Sequence, residues 1–152
     1  MRRHDAIRDA LHQWLQEYGF AASKEQRVIQ WCTEEREARL DVTVSPNGRN
    51  IHLDVSCVDS AQECVDSGSQ HAIERRERAK HQRYPGPALT AFVMDTRGAW
   101  GREARAFLQN LLRYLPQDTH ATARLRCRQL ISRALHSVTA DQMLSSVFAG
   151  KV

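Results

Sequence analysis

Two aspartates and a lysine in this chain, Asp41, Asp54 and Lys80, are of types that can act together on a phosphate ester. The acids lie in the stretch RLDVTVSPNGRNIHLDVSC (residues 39–57), where two alternating runs flank Pro46-Asn47-Gly48-Arg49. An Asn-Gly pair between alternating runs predicts a hairpin with a tight type I′ turn, which needs positive φ at both central residues. With Asn47 and Gly48 as the turn, Asp41 falls directly opposite Asp54. Leu40, Val42 and Val44 then share a core face with Ile51, Leu53 and Val55. The other face sets Arg39, Asp41 and Thr43 against Ser56, Asp54 and His52. Opposed side chains in a hairpin stand about 5 Å apart, and like charges there are unfavourable. Such a pair needs a cation between its members, a proton held by one of them, or arginines nearby.

The elements around the hairpin decide what can reach it. Ile7, Leu11, Trp14, Leu15 and Tyr18 recur at helical spacing over residues 3–18, and Gly19 supplies a stop. His4 and Asp5 are expected to cap and orient this helix. Residues 20–32 read as a strand, and TEEREA (33–38) as a charged turn. VDSAQECVDSGSQ (58–70) reads as an exposed loop or a short helical turn. The basic segment from Gln70 to Tyr84 predicts a helix closed by Pro85-Gly86-Pro87, with Ile73, Arg76, Lys80 and Arg83 on one face. ALTAFVMDT (88–96) reads as a buried strand, and residues 101–115 as an amphipathic helix. Two further helices are predicted over residues 121–137 and 140–148, with Thr139 capping the second. The order is helix, three strands, helix, strand, then C-terminal helices. It predicts an α/β domain with a mixed sheet and helices on both sides, its β-α-β crossover right-handed.

Two adjacent carboxylates are hard oxygen ligands suited to Mg²⁺, which accepts one or two of them and completes its shell with water and phosphate oxygens. A basic helix following the second acid can lay Lys80, with Arg76 or Arg83, beside that site. There a cation would orient the attacking water and offset charge on a phosphorane-like transition state. The pattern suits metal-assisted hydrolysis of a phosphodiester.

The layout α-β-β-β-α-β, with Asp41 and then Asp54, resembles the PD-(D/E)XK nuclease superfamily. More narrowly, the chain is similar to the restriction-like endonuclease domain of site-specific non-LTR retrotransposon polyproteins. RHDAIRDAL (3–11), RLDVTV with HLDVSC, AKHQRY (79–84), FVMDTRGAWGREA (92–104) and ISRALHS (131–137) carry the resemblance. It implies a restriction-endonuclease-like core over about residues 3–115 and a C-terminal helical extension over about 119–149, together one domain spanning 1–152. It implies a DNA-nicking enzyme using Mg²⁺ or Mn²⁺, with Asp41 and Asp54 as metal ligands and Lys80 as the catalytic lysine. Arg76, Arg83, Tyr84 and His52 would contact DNA, and Glu17 or Glu25 would offer a third ligand. Reverse transcriptase and zinc-knuckle domains of a parent polyprotein would be partners, and the nucleus the compartment. The chain departs from the family pattern at Leu40, where a proline is expected before the first acid, and at Ser56, the usual lysine position. Arg83 stands where a second lysine is common, and Asp95 where a glutamate is expected. A copy of the same fold that binds nucleic acid without cutting it is the alternative.

Bulk properties agree without adding detail. The 152 residues carry a formal charge of +4, with arginine the main contributor among 22 basic residues. That balance permits a nucleic-acid partner. Arg124, Arg126, Arg128 and Arg133 form a run that would either follow a DNA backbone or face solvent. Cys32, Cys57, Cys64 and Cys127 form no C-x-x-C pair and read as free thiols of a reducing compartment. Trp14, Trp31 and Trp100 read as core anchors. No run approaches the ~18 apolar residues of a membrane span, and a soluble, intracellular protein is expected.

Overall fold

The computed structural model of the chain describes residues 2–59, 61 and 68–150. Cys64 and most of the segment 58–70 therefore lie outside the described residues. The elements run α1 (Arg3–Glu17), β1 (Ala22–Arg27), β2 (Arg39–Val44), β3 (Ile51–Val58), α2 (Ser69–Arg83), β4 (Leu89–Asp95), α3 (Arg102–Leu112) and α4 (His120–Ala149). Among the described residues the strands form one mixed sheet in the order β1-β2-β3-β4. The first three are antiparallel neighbours, and β4 runs parallel to β3 after the α2 crossover.

Both faces of the sheet are covered. On one face α1, α3 and α4 enclose Val42, Val44, Leu53, Val55, Phe92 and Met94. Ile7, Leu11, Trp14 and Leu15 of α1 are all fully buried there, each worth about 1.5–3 kcal/mol of apolar burial. The other face is split between two smaller clusters. One joins Ala72 and Ile73 of α2 to Val58, Ala91 and Val93. The second gathers Val28, Trp31, Ala38, Leu40, Tyr84 and Leu89. The predicted anchors Trp14, Trp31 and Trp100 are all buried.

The hairpin register is the predicted one from Val42 opposite Leu53 through Thr43 opposite His52 to Val44 opposite Ile51. The predicted direct opposition of Asp41 and Asp54 is not among the paired positions, because pairing stops at Val42. The predicted tight turn does not form. Gly48 has φ +84, but Asn47 does not join it at positive φ. The strands are joined instead by residues 45–50, braced by the Ser45 hydroxyl donating to Asn50 Oδ1 and by Asn47 Oδ1 accepting the Arg49 N–H. Alternation and burial hold the register even with a longer loop. Leu40 leaves the predicted core face and joins Trp31 and Tyr84 in the second cluster.

Three further expectations are corrected. The strand predicted over residues 20–32 is confined to Ala22–Arg27, followed by a helical turn at Ile29–Trp31. The helix α1 has no side-chain cap at its start, so His4 and Asp5 do not cap it. The two predicted C-terminal helices are one, because Thr139 does not cap a second helix. Its hydroxyl donates to the Leu135 carbonyl one turn earlier, a bond that lets threonine sit inside a helix. The helix α4 is pinned to α1 by the Trp14 indole N–H, which donates to the Ala123 carbonyl at 2.9 Å.

Gly101 fixes how closely α2 and β4 approach α3. A Cβ there would lie 2.7 Å from Ile73 Cγ2, 2.9 Å from the Val93 carbonyl and 3.0 Å from Glu77 Oε2. The Gly101 N–H itself donates to Val93 O at 2.7 Å, so the backbone has little room to retreat. Gly101→Ala should destabilise the domain by about 1–3 kcal/mol, measured as a lowered midpoint in urea unfolding.

Candidate active site

Asp41 is the point at which the second strand lets go of both neighbours. It has no register partner in β1 or in β3, although the residues on either side of it pair with β1. Its opposite number on β1, Glu25, has φ +54, a conformation that L residues seldom hold without reason. The Asp41 carboxylate fills the gap. Oδ2 accepts the Val55 backbone N–H at 2.6 Å, and Oδ1 accepts from His4 Nε2 at 2.7 Å. Asp54, one residue before Val55, lies near enough for the Asp41 carboxylate to act on its titration. Both acids are buried at 9% exposure.

The helix α2 supplies the cations. Lys80 Nζ lies 3.1 Å from Asp54 Oδ2. One turn earlier, Arg76 Nη1 donates to the Ser56 hydroxyl. Residues four apart share a helical face, and here that face lies along β3 at positions 54 and 56. A basic side chain thus stands at Ser56 although the strand supplies none. The start of α1 closes the opposite wall, so that Arg2, Arg3, His4, Asp54, Arg76 and Lys80 line one cleft of about 400 Å³.

Burial pushes the Asp54 carboxyl above its ordinary range, and the neighbouring Asp41 adds to the rise while Lys80 opposes it. The hydrogen bond to Asp41 raises His4 above its usual value, with Asp5 at 3.1 Å on the other ring nitrogen. The pair of acids is a concentration of negative charge held in place against its own repulsion, and it favours any cation that can reach it. Among the described residues no set of three or more His, Cys, Asp or Glu side chains converges on one point. The donor set is therefore two carboxylates, which fits Mg²⁺ or Mn²⁺ completed by water and a phosphate oxygen.

Asp41, Asp54 and Lys80 are brought together, with Arg76 beside them. Arg83 is exposed at the end of α2 and lies over the Tyr84 ring at 5.3 Å. Tyr84 and His52, read from the sequence as DNA contacts, are each only 5% exposed. His52 Nδ1 bonds the Thr43 hydroxyl at 2.8 Å, and its ring meets the edge of Trp31 at 5.5 Å. These two residues brace the site from inside and offer no free surface to a ligand. Glu17 is held by Arg126 through two hydrogen bonds, and that partner lowers its pKa to about 2. It lies thirteen residues along α1 from His4, roughly 20 Å by helical rise. Glu25 is tied to Arg8 at 2.7 Å and points outward. Neither glutamate reaches the acid pair. Asp95 is buried and accepts the N–H groups of Arg97 and Ala99, which gives it a turn to hold. In the α4 arginine run, Arg124 bonds Gln109, Arg126 bonds Glu17 and Arg128 covers Trp100. Cys57 and Cys127 are pushed by burial to about 11 and about 12, which keeps them as thiols.

His4 is the site residue that sequence reasoning assigned elsewhere. The signal was present, since His4, Ile7, Leu11 and Trp14 follow one helical stripe, and a polar residue ending a buried stripe points at the same strands. Neither a family model nor a curated protein matches the chain.

The two histidines should act on stability with opposite signs. Burial lowers His52 below its ordinary 6.5, so its contribution is present above pH 6.5 and is lost as pH falls through the folded value. His4 is raised, so its contribution is present below 6.5 and is lost as pH rises. Urea midpoints measured between about pH 5 and pH 7 should lose less toward the acid side in His52→Gln than in the wild type. An unchanged acid limb in the variant would remove His52 from the account.

Proposed function

We propose that the cleft hydrolyses a phosphodiester bond of DNA with the help of a divalent cation, and that the domain is the nicking module of a retroelement polyprotein. One observation carries the reading. Two acids are buried side by side with a lysine ammonium 3.1 Å from one of them, in a cleft whose other charged walls are arginine and histidine. Structural ion pairs place one acid against one base. A pair of acids held in contact needs a further purpose, and divalent-cation binding supplies one.

Asp41 and Asp54 would hold Mg²⁺ or Mn²⁺, which when bound supplies Lewis-acid stabilisation of charge at the phosphoryl group. The remaining steps belong to the chain. Lys80 has three donors on a compact charge, and from beside Asp54 it holds the attacking water and offsets charge developing on the phosphorane. Arg76, fixed through Ser56, and Arg3 at the opposite wall bind non-bridging oxygens of the substrate phosphate. His4 orients the Asp41 carboxylate through its 2.7 Å bond. The buried Thr43–His52–Trp31–Tyr84 layer keeps β2 and β3 from shifting beneath the acids.

A second reading has its own support. His4 on Asp41 and Lys80 on Asp54 already satisfy both acids within the fold, and such a site would serve a binding module of the same fold without cutting.

Nicking of supercoiled plasmid should require Mg²⁺ or Mn²⁺ and stop with EDTA or in Asp54→Asn. Lys80→Ala should lower the cleavage rate roughly 10²–10³-fold while DNA binding persists. Binding should weaken steeply with salt, since phosphate contacts release counterions. Mg²⁺ should also raise the unfolding temperature of the wild type, by about 2.7 kcal/mol of stability at a hundredfold excess over Kd, and should leave Asp54→Asn unmoved. Salt-sensitive DNA binding with no cleavage and no Mg²⁺ shift would select the binding module.

A further inference from the structure

We propose that α4 joins two copies of this chain as a two-fold antiparallel pair crossing at Ser137. Leu130, Arg133, Ala134, Ser137, Asp141 and Leu144 recur at steps that keep them on one face of the helix. The first half of this face borders a groove of about 490 Å³ between α1 and α4, whose apolar walls include Ala6, Ala10 and Val138. Along the second half, every residue from 140 to 150 is exposed. Met143, Leu144 and Val147 are 66%, 57% and 55% exposed in that stretch. One chain thus carries both an apolar-walled groove and a projecting apolar stripe on the same helix.

The charges select the occupant and its direction. Among the described residues neither Arg133 nor Asp141 has an ion-pair partner within its own copy. With two α4 helices antiparallel about Ser137, Arg133 faces the partner's Asp141, and by symmetry Asp141 faces the partner's Arg133. Leu130 meets the partner's Leu144, and Ala134 meets the partner's Ala140. The small residues Ala134, Ser137 and Ala140 at the crossing allow the helices to come close. A parallel pair would set arginine on arginine and aspartate on aspartate, which is disfavoured. The partner's Leu144 and Val147 enter the α1–α4 groove. Because the same patch is used twice, the contact closes at two copies. Gln142, next to the seam, lines the cleft that holds Asp54 and Lys80, so the pair also fixes one cleft relative to the other.

Sedimentation of the full chain from about 1 to about 100 μM should show a monomer–dimer equilibrium. Leu144→Asp, at an exposed position, should raise the dissociation constant by roughly tenfold or more with unchanged circular dichroism and melting temperature. Asp141→Arg and Arg133→Asp should each weaken the dimer roughly tenfold. An equimolar mixture of these two single variants should recover it, because the mixed pair restores both opposite-charge contacts. A monomer at every concentration overturns the proposal, as does a dimer indifferent to Leu144→Asp. Charge variants that weaken the dimer singly but do not complement each other overturn the antiparallel register.

Discussion

The bond from the Val55 N–H to the Asp41 carboxylate is the contact on which the rest of the site depends. A buried N–H needs an acceptor, and a regular ladder would give it a carbonyl from β2. Here a side chain takes that place, so β2 can leave the ladder at Asp41 without orphaning β3. Its departure leaves the Asp41 carboxylate beside Asp54, where it adds to the rise of the Asp54 pKa. The costs are visible nearby, in the positive φ of Glu25 and the raised pKa of Asp54. Strain and a perturbed titration at one place are what functional sites tend to concentrate.

Around this contact the fold works as a vice with unequal jaws. One jaw is the deep core of α1, α3 and α4, which sets the start of α1 against the acids. The other is α2, with thin apolar content, held by Ala72 and Ile73 and by Glu77, which accepts the Glu103 N–H at the start of α3. Burial pushes Glu77 upward in pKa, so it is a costly residue to place there. Its bond and the bare Cα of Gly101 are what let a polar helix sit tightly enough to bring Lys80 to Asp54.

Much of this was legible in the sequence, for local reasons. Alternation on both sides of Asn47-Gly48 gave the register, and the stripe of α1 and the stop at Gly19 gave the first helix. That the two acids lie near each other followed from the hairpin, and Lys80 from helical spacing. The acids meet through the Asp41–Val55 bond, however, and not through direct pairing. What escaped was non-local. Trp31 comes from a short turn after β1 to cover a hairpin face that looked open, and it takes His52 and Tyr84 inside with it. Nothing in the alternation of β3 distinguishes a solvated histidine from one beneath an indole. Thr139 reads as a cap by residue type, and only its bond to Leu135 shows it to be mid-helix. Leu40 changed faces because Asp41 interrupts the strand, a break that periodicity alone does not register.

The Trp14–Ala123 bond spans 109 residues of sequence, and that distance bears on when the site exists at all. The face of α1 that presents His4 is completed by a helix that begins only at residue 120. Contacts so far apart form only after the entropy of closing the intervening loop has been met. On a ribosome, the strands and α2 emerge before α1 has its final seat. The acids would then lie close together with one wall missing, and the cleft would be assembled only as α4 docks. The assembly of the cleft is in this sense written into chain order, with α4 seating the helix that supplies one of its walls.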